Sequence, residues 1–265
     1  MLDKMVLGRY VPLDSFVHRL DPRTKIIFVF LMTIVIFFAN NVITYAFLIL
    51  VILGILYAAK LKLSFLLAGL KPILILLLFT FFMHLFWTKG GGTLFKLGFI
   101  TVDRNGVEQG LFIMLRFVLI IILTTIMTLS TSPISLTDAI ETLFRPLKKI
   151  KVPVHELALM MSIALRFIPT LMDETQKIMR AQMSRGSDMT TGSPVKRLKA
   201  IVPLLVPLFV SAFKRAEDLA VAMEVRGYRG DIGRTKYRKL HWRQADTLAL
   251  LAIIPITLLI LYFRN

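Results

Sequence analysis

The chain has 265 residues, 56% of them hydrophobic, with a mean hydropathy of +0.73 and a formal net charge of +17. A soluble domain is about 45–50% apolar, so this chain holds more apolar side chains than one soluble core can bury, and a lipid-facing surface accounts for the excess. It contains no cysteine, which excludes disulfides and thiolate metal sites.

The first 25 residues carry Asp3, Asp14 and Asp21 and lack the apolar run of a cleavable signal. They read as a cytoplasmic N-terminal segment. A membrane span needs roughly 20 mostly apolar residues. Ile26 to Ala59 is one apolar stretch broken only at Asn40-Asn41, and reads as two helices joined by a tight turn, the first of them short unless it begins near Thr24. Leu70 to Trp87 is a third span, Leu111 to Leu129 a fourth and Asp246 to Phe263 a fifth. Gly90-Gly91-Gly92 and the turn signal at Val102 to Gly106 lie between the third and fourth. Residues 26–129 therefore form transmembrane helices 1–4, and residues 246–265 form the fifth with the C-terminus.

Residues 130–245 are too charged for ordinary spans and too apolar for a plain loop. One short helix is expected over Ser135 to Lys148 and two long ones over Val154 to Arg185 and Pro194 to Arg226. Pro153 and Pro194 mark the long helices' starts, and Gly186 and Gly227 lie just past their ends. Each would reach about 50 Å at the helical rise, with bends at Pro169, Pro203 and Pro207. The fold class is an all-α integral membrane protein of about five transmembrane helices, with a cytoplasmic domain at 130–245 of one short and two long helices.

Lysine and arginine set the orientation. Of the 33, 28 fall within residues 1–25, 60–71 and 130–245. Only Lys89, Lys96, Arg104 and Arg264 lie on the opposite side, and Arg116 sits inside a span. The N-terminus and the basic region are thus expected in the cytoplasm and the C-terminus outside, as a multi-pass protein of a bacterial inner membrane. This distribution explains the charge without nucleic acid. Val154 to Met172 and Ala200 to Phe213 are apolar enough to pass for spans themselves; as a pair, inserting both would leave the topology after them unchanged.

Two apparent motifs fail. His155-Glu156-Leu157-Ala158-Leu159 lacks the second histidine of a zinc-protease helix, and Gly90-Gly91-Gly92 lacks the Gly-Lys-Ser/Thr of a phosphate loop. No catalytic residue, metal ligand or cofactor site is expected. Arg116 reads either as a mark on a substrate path or as a snorkelling or structurally partnered side chain.

The two long helices end alike. One closes Ala181-Gln182-Met183-Ser184-Arg185-Gly186, the other Ala222-Met223-Glu224-Val225-Arg226-Gly227. One such end is an ordinary C-cap, with glycine in the left-handed conformation and a cation suited to the helix dipole. Two with equal spacing suggest a pair of arginine forks for acidic grooves on a partner. Ala216, Leu219, Ala220 and Met223 follow the period of one helix face, and Met172, Met179 and Met183 line a face of the other helix. These faces serve either helix–helix contact or an adaptable surface for several partners.

Four stretches together resemble the transmembrane T component of energy-coupling factor transporters. They are Ser15 to Lys25; Thr131-Ser132-Pro133 through Phe144-Arg145-Pro146-Leu147; Leu165-Arg166-Phe167-Ile168-Pro169; and the two Arg-Gly helix ends. The resemblance implies a complex with two ABC-type ATPases, which bind the ATP, and a membrane-embedded S component that captures a vitamin or other micronutrient. It implies that residues 130–245 are a cytoplasmic coupling domain. Arg185 and Gly186, and Arg226 and Gly227, correspond to the ATPase-coupling motif. Ser184 and Val225 stand where that motif has alanine, and Val225 loosens the second match. Met179, Met183, Leu219 and Met223 are the expected S-component contacts. A self-contained channel or secondary transporter, the rival reading, needs a polar pathway, for which the spans offer only Arg116, His84 and a few Ser and Thr.

Overall fold

The computed structural model describes residues 10–97, 100–186, 194–230 and 239–264. In chain order the elements are α1 (Phe16–Arg19), α2 (Pro22–Phe38), α3 (Val42–Ala59), α4 (Leu63–Leu70), α5 (Leu74–Trp87), β1 (Thr93–Leu97), β2 (Ile100–Asp103), α6 (Arg104–Ser130), α7 (Pro133–Phe144), a 3₁₀ turn (Arg145–Ile150), α8 (Val154–Ser184), α9 (Pro194–Val225), α10 (Gln244–Leu251) and α11 (Ile253–Phe263). They divide into two compact units, one within Met1–Ala139 and Leu240–Asn265, the other within Ile140–Lys239. The protein is an all-α membrane protein, to which β1 and β2 add one short antiparallel hairpin, Thr93 opposite Asp103 and Leu97 opposite Ile100.

Local chemistry fixes the starts of the first unit's helices. The Asp21 carboxylate accepts from the Arg23 amide at 2.8 Å, and Pro22 occupies the first helical position. α2 therefore begins at Pro22 and not at Ile26, which gives it 17 residues. At the Asn40-Asn41 turn, the Asn41 amide donates to Thr44 Oγ1 at 3.1 Å and opens α3.

Met32 and Ile36 of α2, Tyr45 and Leu48 of α3, Leu119 and Leu123 of α6, and Ile253 and Ile260 of α11 form one buried cluster. Tyr45 stacks on Phe112 with ring centroids 5.1 Å apart. Outside it, Phe30, Leu50, Ile75 and Leu258 are all more than 60% exposed. Apolar residues on both the inner and outer surface are what lipid permits, because helices there associate by packing and not by expulsion of water. α3, α6, α8 and the α10–α11 stretch are long and apolar enough to cross a membrane, and α5 is a shorter apolar helix.

Polar contacts close the two ends of this unit. At one end Lys25 Nζ donates to the Ser130 carbonyl at 2.8 Å and to Thr131 Oγ1 at 3.1 Å. The buried Asp246 carboxylate accepts from the Asp21 and Arg243 amides, each at 2.7 Å. At the other end Asn40 Nδ2 donates to the Arg264 carbonyl and Asn41 Nδ2 to the Phe263 carbonyl, both at 3.2 Å. The starts of α2 and α10 thus share one side with the end of α6, and the asparagine turn shares the other with the end of α11.

Several boundaries differ from the sequence reading. The expected third span is interrupted: α4 occupies part of the expected 60–71 loop, and Pro72, which has no amide to donate, separates it from the 14-residue α5. α6 starts at Arg104, seven residues before Leu111, so the expected turn at 102–106 is the end of β2 and the first turn of the helix. There Gly106 lets α6 approach α5 closely, since a Cβ would lie 2.9 Å from the Thr88 carbonyl oxygen and 3.0 Å from that of His84.

In the second unit Pro146 turns the end of the expected short helix into the 3₁₀ segment. α8 and α9 then run on as single helices of 31 and 32 residues through Pro169, Pro203 and Pro207.

Candidate functional site

α8 and α9 pair through both polar and apolar contacts. Glu174 of α8 accepts from the Ser211 hydroxyl and from Arg215 Nη2, the latter at 3.0 Å. Gln182 Nε2 donates to the Pro203 carbonyl at 3.5 Å. Moving toward the end of α8 therefore means moving toward the start of α9, and the helices are antiparallel. Leu204, Leu208, Ala212, Leu219 and Met223 are half-buried along α9 at helical spacing. The Ser211 hydroxyl first, and then Arg215, holds the Glu174 carboxyl below its ordinary range. With Arg215 41% exposed, an ion pair of this kind contributes about 0–1 kcal/mol, so packing carries most of the pairing.

Each helix ends in a left-handed glycine. The Gly227 amide donates to the Glu224 carbonyl at 2.9 Å and the Tyr228 amide to the Met223 carbonyl at 3.0 Å. These are the two bonds of a Schellman cap, with Gly227 at φ +73°. At the end of α8 the Gly186 amide donates to the Met183 carbonyl at 3.0 Å, with Gly186 at φ +84°. Nothing lies within 4 Å of where either glycine's Cβ would be. The requirement for glycine is thus conformational and not spatial.

The caps leave their flanking side chains in the open. Ser184, Arg185, Val225 and Arg226 are all exposed, Val225 at 82%. The antiparallel pairing sets the two ends apart: Arg185 lies eleven residues beyond Glu174 in one direction, and Arg226 fifteen beyond Ser211 in the other. At 1.5 Å per residue the two guanidinium-bearing ends stand on the order of 35–40 Å apart. This geometry presents two separate cationic forks and can engage two separate acidic surfaces.

The four expected contact residues are not brought together. Met179 and Met183 lie toward the end of α8, Leu219 and Met223 toward the end of α9, and the pairing puts these at opposite ends. Met183 is 46% exposed, whereas Met179, Leu219 and Met223 are half-buried. A larger apolar face lies elsewhere on α9. Val202, Val206, Phe209, Val210 and Phe213 are 54–71% exposed, and the rings of Phe209 and Phe213 stack at 6.5 Å. Its helical spacing is visible in the sequence but is masked by the equally apolar stripe that faces α8.

Arg116 has a structural setting. Its Nη2 donates to the Ala39 carbonyl at 3.2 Å and its guanidinium lies 5.0 Å from the Phe37 ring centre, while Nε is buried without a hydrogen-bond partner. His155, from the failed zinc motif, sits 3.1 Å from the Glu141 carboxylate. Among the described residues no three His, Asp or Glu are grouped to hold a metal.

Residues 14–237 match the family described as cobalt transport protein (CbiQ). Three proteins named energy-coupling factor transporter transmembrane protein EcfT align along their length. That of Macrococcus caseolyticus is 69% identical over 265 residues and that of Bacillus subtilis 58% over 264, each alignment covering 100% of both chains. That of Staphylococcus aureus is 54% identical, covering 100% of this chain and 98% of its own.

Proposed function

The chain belongs to the cobalt transport protein family as a transmembrane component of energy-coupling factor transporters, and from that premise we propose that it couples two partner ATPases to a membrane-embedded S component. Each exposed Arg-Gly end docks in an acidic groove on one ATPase, Arg185 with Gly186 at one and Arg226 with Gly227 at the other. ATP is bound and hydrolysed by the partners, and this chain, which has no phosphate loop, is non-catalytic. The cargo is a vitamin or other micronutrient chosen by the S component.

The observation that carries this reading is the pair of matching caps at opposite ends of one antiparallel helix pair. A rigid two-helix bar with a cation at each end transmits a change in ATPase spacing as a movement of the bar itself. Guanidinium forks suit that role because they bind carboxylates in two-point geometry. Residues 130–245 form the coupling domain on the cytoplasmic side of the bacterial inner membrane, with the N-terminus on that side and the C-terminus outside. α8 is apolar enough to span, but Glu156 and Arg166 would cost several kcal/mol there. The S component meets the apolar surface of the pair, at Met179, Met183, Leu219 and Met223 and along the exposed α9 face.

Purification of the tagged chain from its native membrane tests the assembly. We expect two ABC-type ATPase chains and a small membrane protein to be retained. A chain that recovers neither and moves solute alone in proteoliposomes would be the rival channel or secondary transporter.

A further inference from the structure

Residues 144–151 read Phe-Arg-Pro-Leu-Lys-Lys-Ile-Lys, and Arg145–Ile150 form a 3₁₀ turn capped by Phe144. Such a helix repeats every three residues, so positions i, i+3 and i+6 eclipse along one edge. Phe144, Leu147 and Ile150 share an edge and are 52%, 38% and 69% exposed. Arg145 and Lys148 share the next, and Lys149 the third with Pro146; Lys151 follows as the left-handed C-cap, and all four cations are exposed. No acid occurs between Thr142 and His155. Thr142, Arg145, Pro146, Lys148 and Lys149 line an open recess of about 570 Å³.

We propose that Phe144–Lys151 is an interfacial anchor that seats on anionic phospholipid in the membrane the chain spans. The apolar edge enters the boundary between headgroups and acyl chains, and the cations engage the lipid phosphates, with the recess as the phosphate seat. The segment begins fourteen residues after Ser130, where α6, a candidate span, ends. Basic clusters close to a span are drawn to anionic leaflets, and stable surface anchoring takes apolar burial and charge together. Both stand here on adjacent edges of one turn. An acidic protein groove would satisfy the cations and leave the apolar edge in water. The anchor would fix the chain to the membrane surface three residues before α8 begins, independently of any ATPase contact.

The absence of cysteine makes the test direct. Ile150→Cys, labelled with an environment-sensitive fluorophore in the full-length chain, is reconstituted into vesicles of phosphatidylcholine with or without phosphatidylglycerol. We expect blue-shifted, severalfold brighter emission when phosphatidylglycerol is present, reversed by high salt. Brominated acyl chains should quench it, and Arg145→Gln with Lys149→Gln and Lys151→Gln should abolish it. The same label at Lys89→Cys should not respond. Equal emission in both vesicles, or a response unaltered by the triple substitution, would overturn the anchor. So would inorganic phosphate added to phosphatidylcholine vesicles reproducing the response, which would mark a site for free anions.

Discussion

Glu174 of α8 accepts from Arg215 of α9 at 3.0 Å while its other carboxylate oxygen is held by Ser211. This junction lies between the two Arg-Gly ends and fixes the register that separates them. Glu174→Ala should therefore loosen the bar without altering either end. Losing these bonds typically costs about 1–3 kcal/mol when polar partners are left unpaired, toward the low end at a half-exposed site. We expect a lower thermal midpoint in detergent, with Arg185 and Arg226 still able to bind an isolated ATPase. An unchanged midpoint would show that apolar packing alone holds the pair.

The same carboxylate gives a pH signature. Its folded pKa lies below the ordinary 4.5, chiefly because of the Ser211 hydroxyl. The unfolded state thus binds the proton more readily, and the contribution to stability is full above 4.5 and lost as the pH falls through the folded value. Glu174→Gln should flatten that acid limb of the thermal midpoint. A limb as steep as in the unsubstituted chain would place its origin in other carboxylates.

At the caps, Gly186→Ala and Gly227→Ala separate backbone from charge. Neither Cβ meets an obstacle, so the cost is that of a left-handed non-glycine residue, about 1–2 kcal/mol. If the cap aims the adjacent arginine, ATPase affinity should fall even though the charge remains. Full retention of the ATPases by both variants would show that charge suffices.

For topology, the structure selects better reporters than the glycine loop. A side chain at Gly91 would collide with Asn105, its Cβ 2.3 Å from Oδ1. Lys89 is exposed, and so are Lys149 and Arg180. In intact cells an impermeant thiol reagent should label Lys89→Cys and spare Lys149→Cys and Arg180→Cys. The reverse pattern would invert the orientation drawn from the charge distribution.

What the sequence disclosed followed from the range of the physics involved. Gly186 and Gly227 were readable as caps because capping involves only the last turn of a helix. The apolar helices were readable because apolar length is a local property, although Pro72 and the early starts of α2 and α6 displaced three boundaries. The pairing of Glu174 with Ser211 and Arg215 crosses about forty residues and leaves no local mark. The apolar face at Val206, Phe209, Val210 and Phe213 was hidden because α9 is apolar on two sides and only the pairing shows which one α8 covers. Arg116 was equally ambiguous until its contacts with Ala39 and Phe37 gave it a structural setting.

The most direct measurement of the coupling role is ATPase retention by the chain carrying both Arg185→Glu and Arg226→Glu, followed by solute uptake in proteoliposomes. Reversing a charge that docks against an acidic groove replaces attraction with repulsion, and losing one partner of a buried charge pair costs about 2–5 kcal/mol. We expect the double variant to insert normally, lose the ATPases and fail to transport, with each single variant intermediate because each end serves one ATPase. A double variant that keeps both ATPases and transports at the unsubstituted rate would contradict the coupling role and leave Arg185 and Arg226 as ordinary residues beside two helix caps.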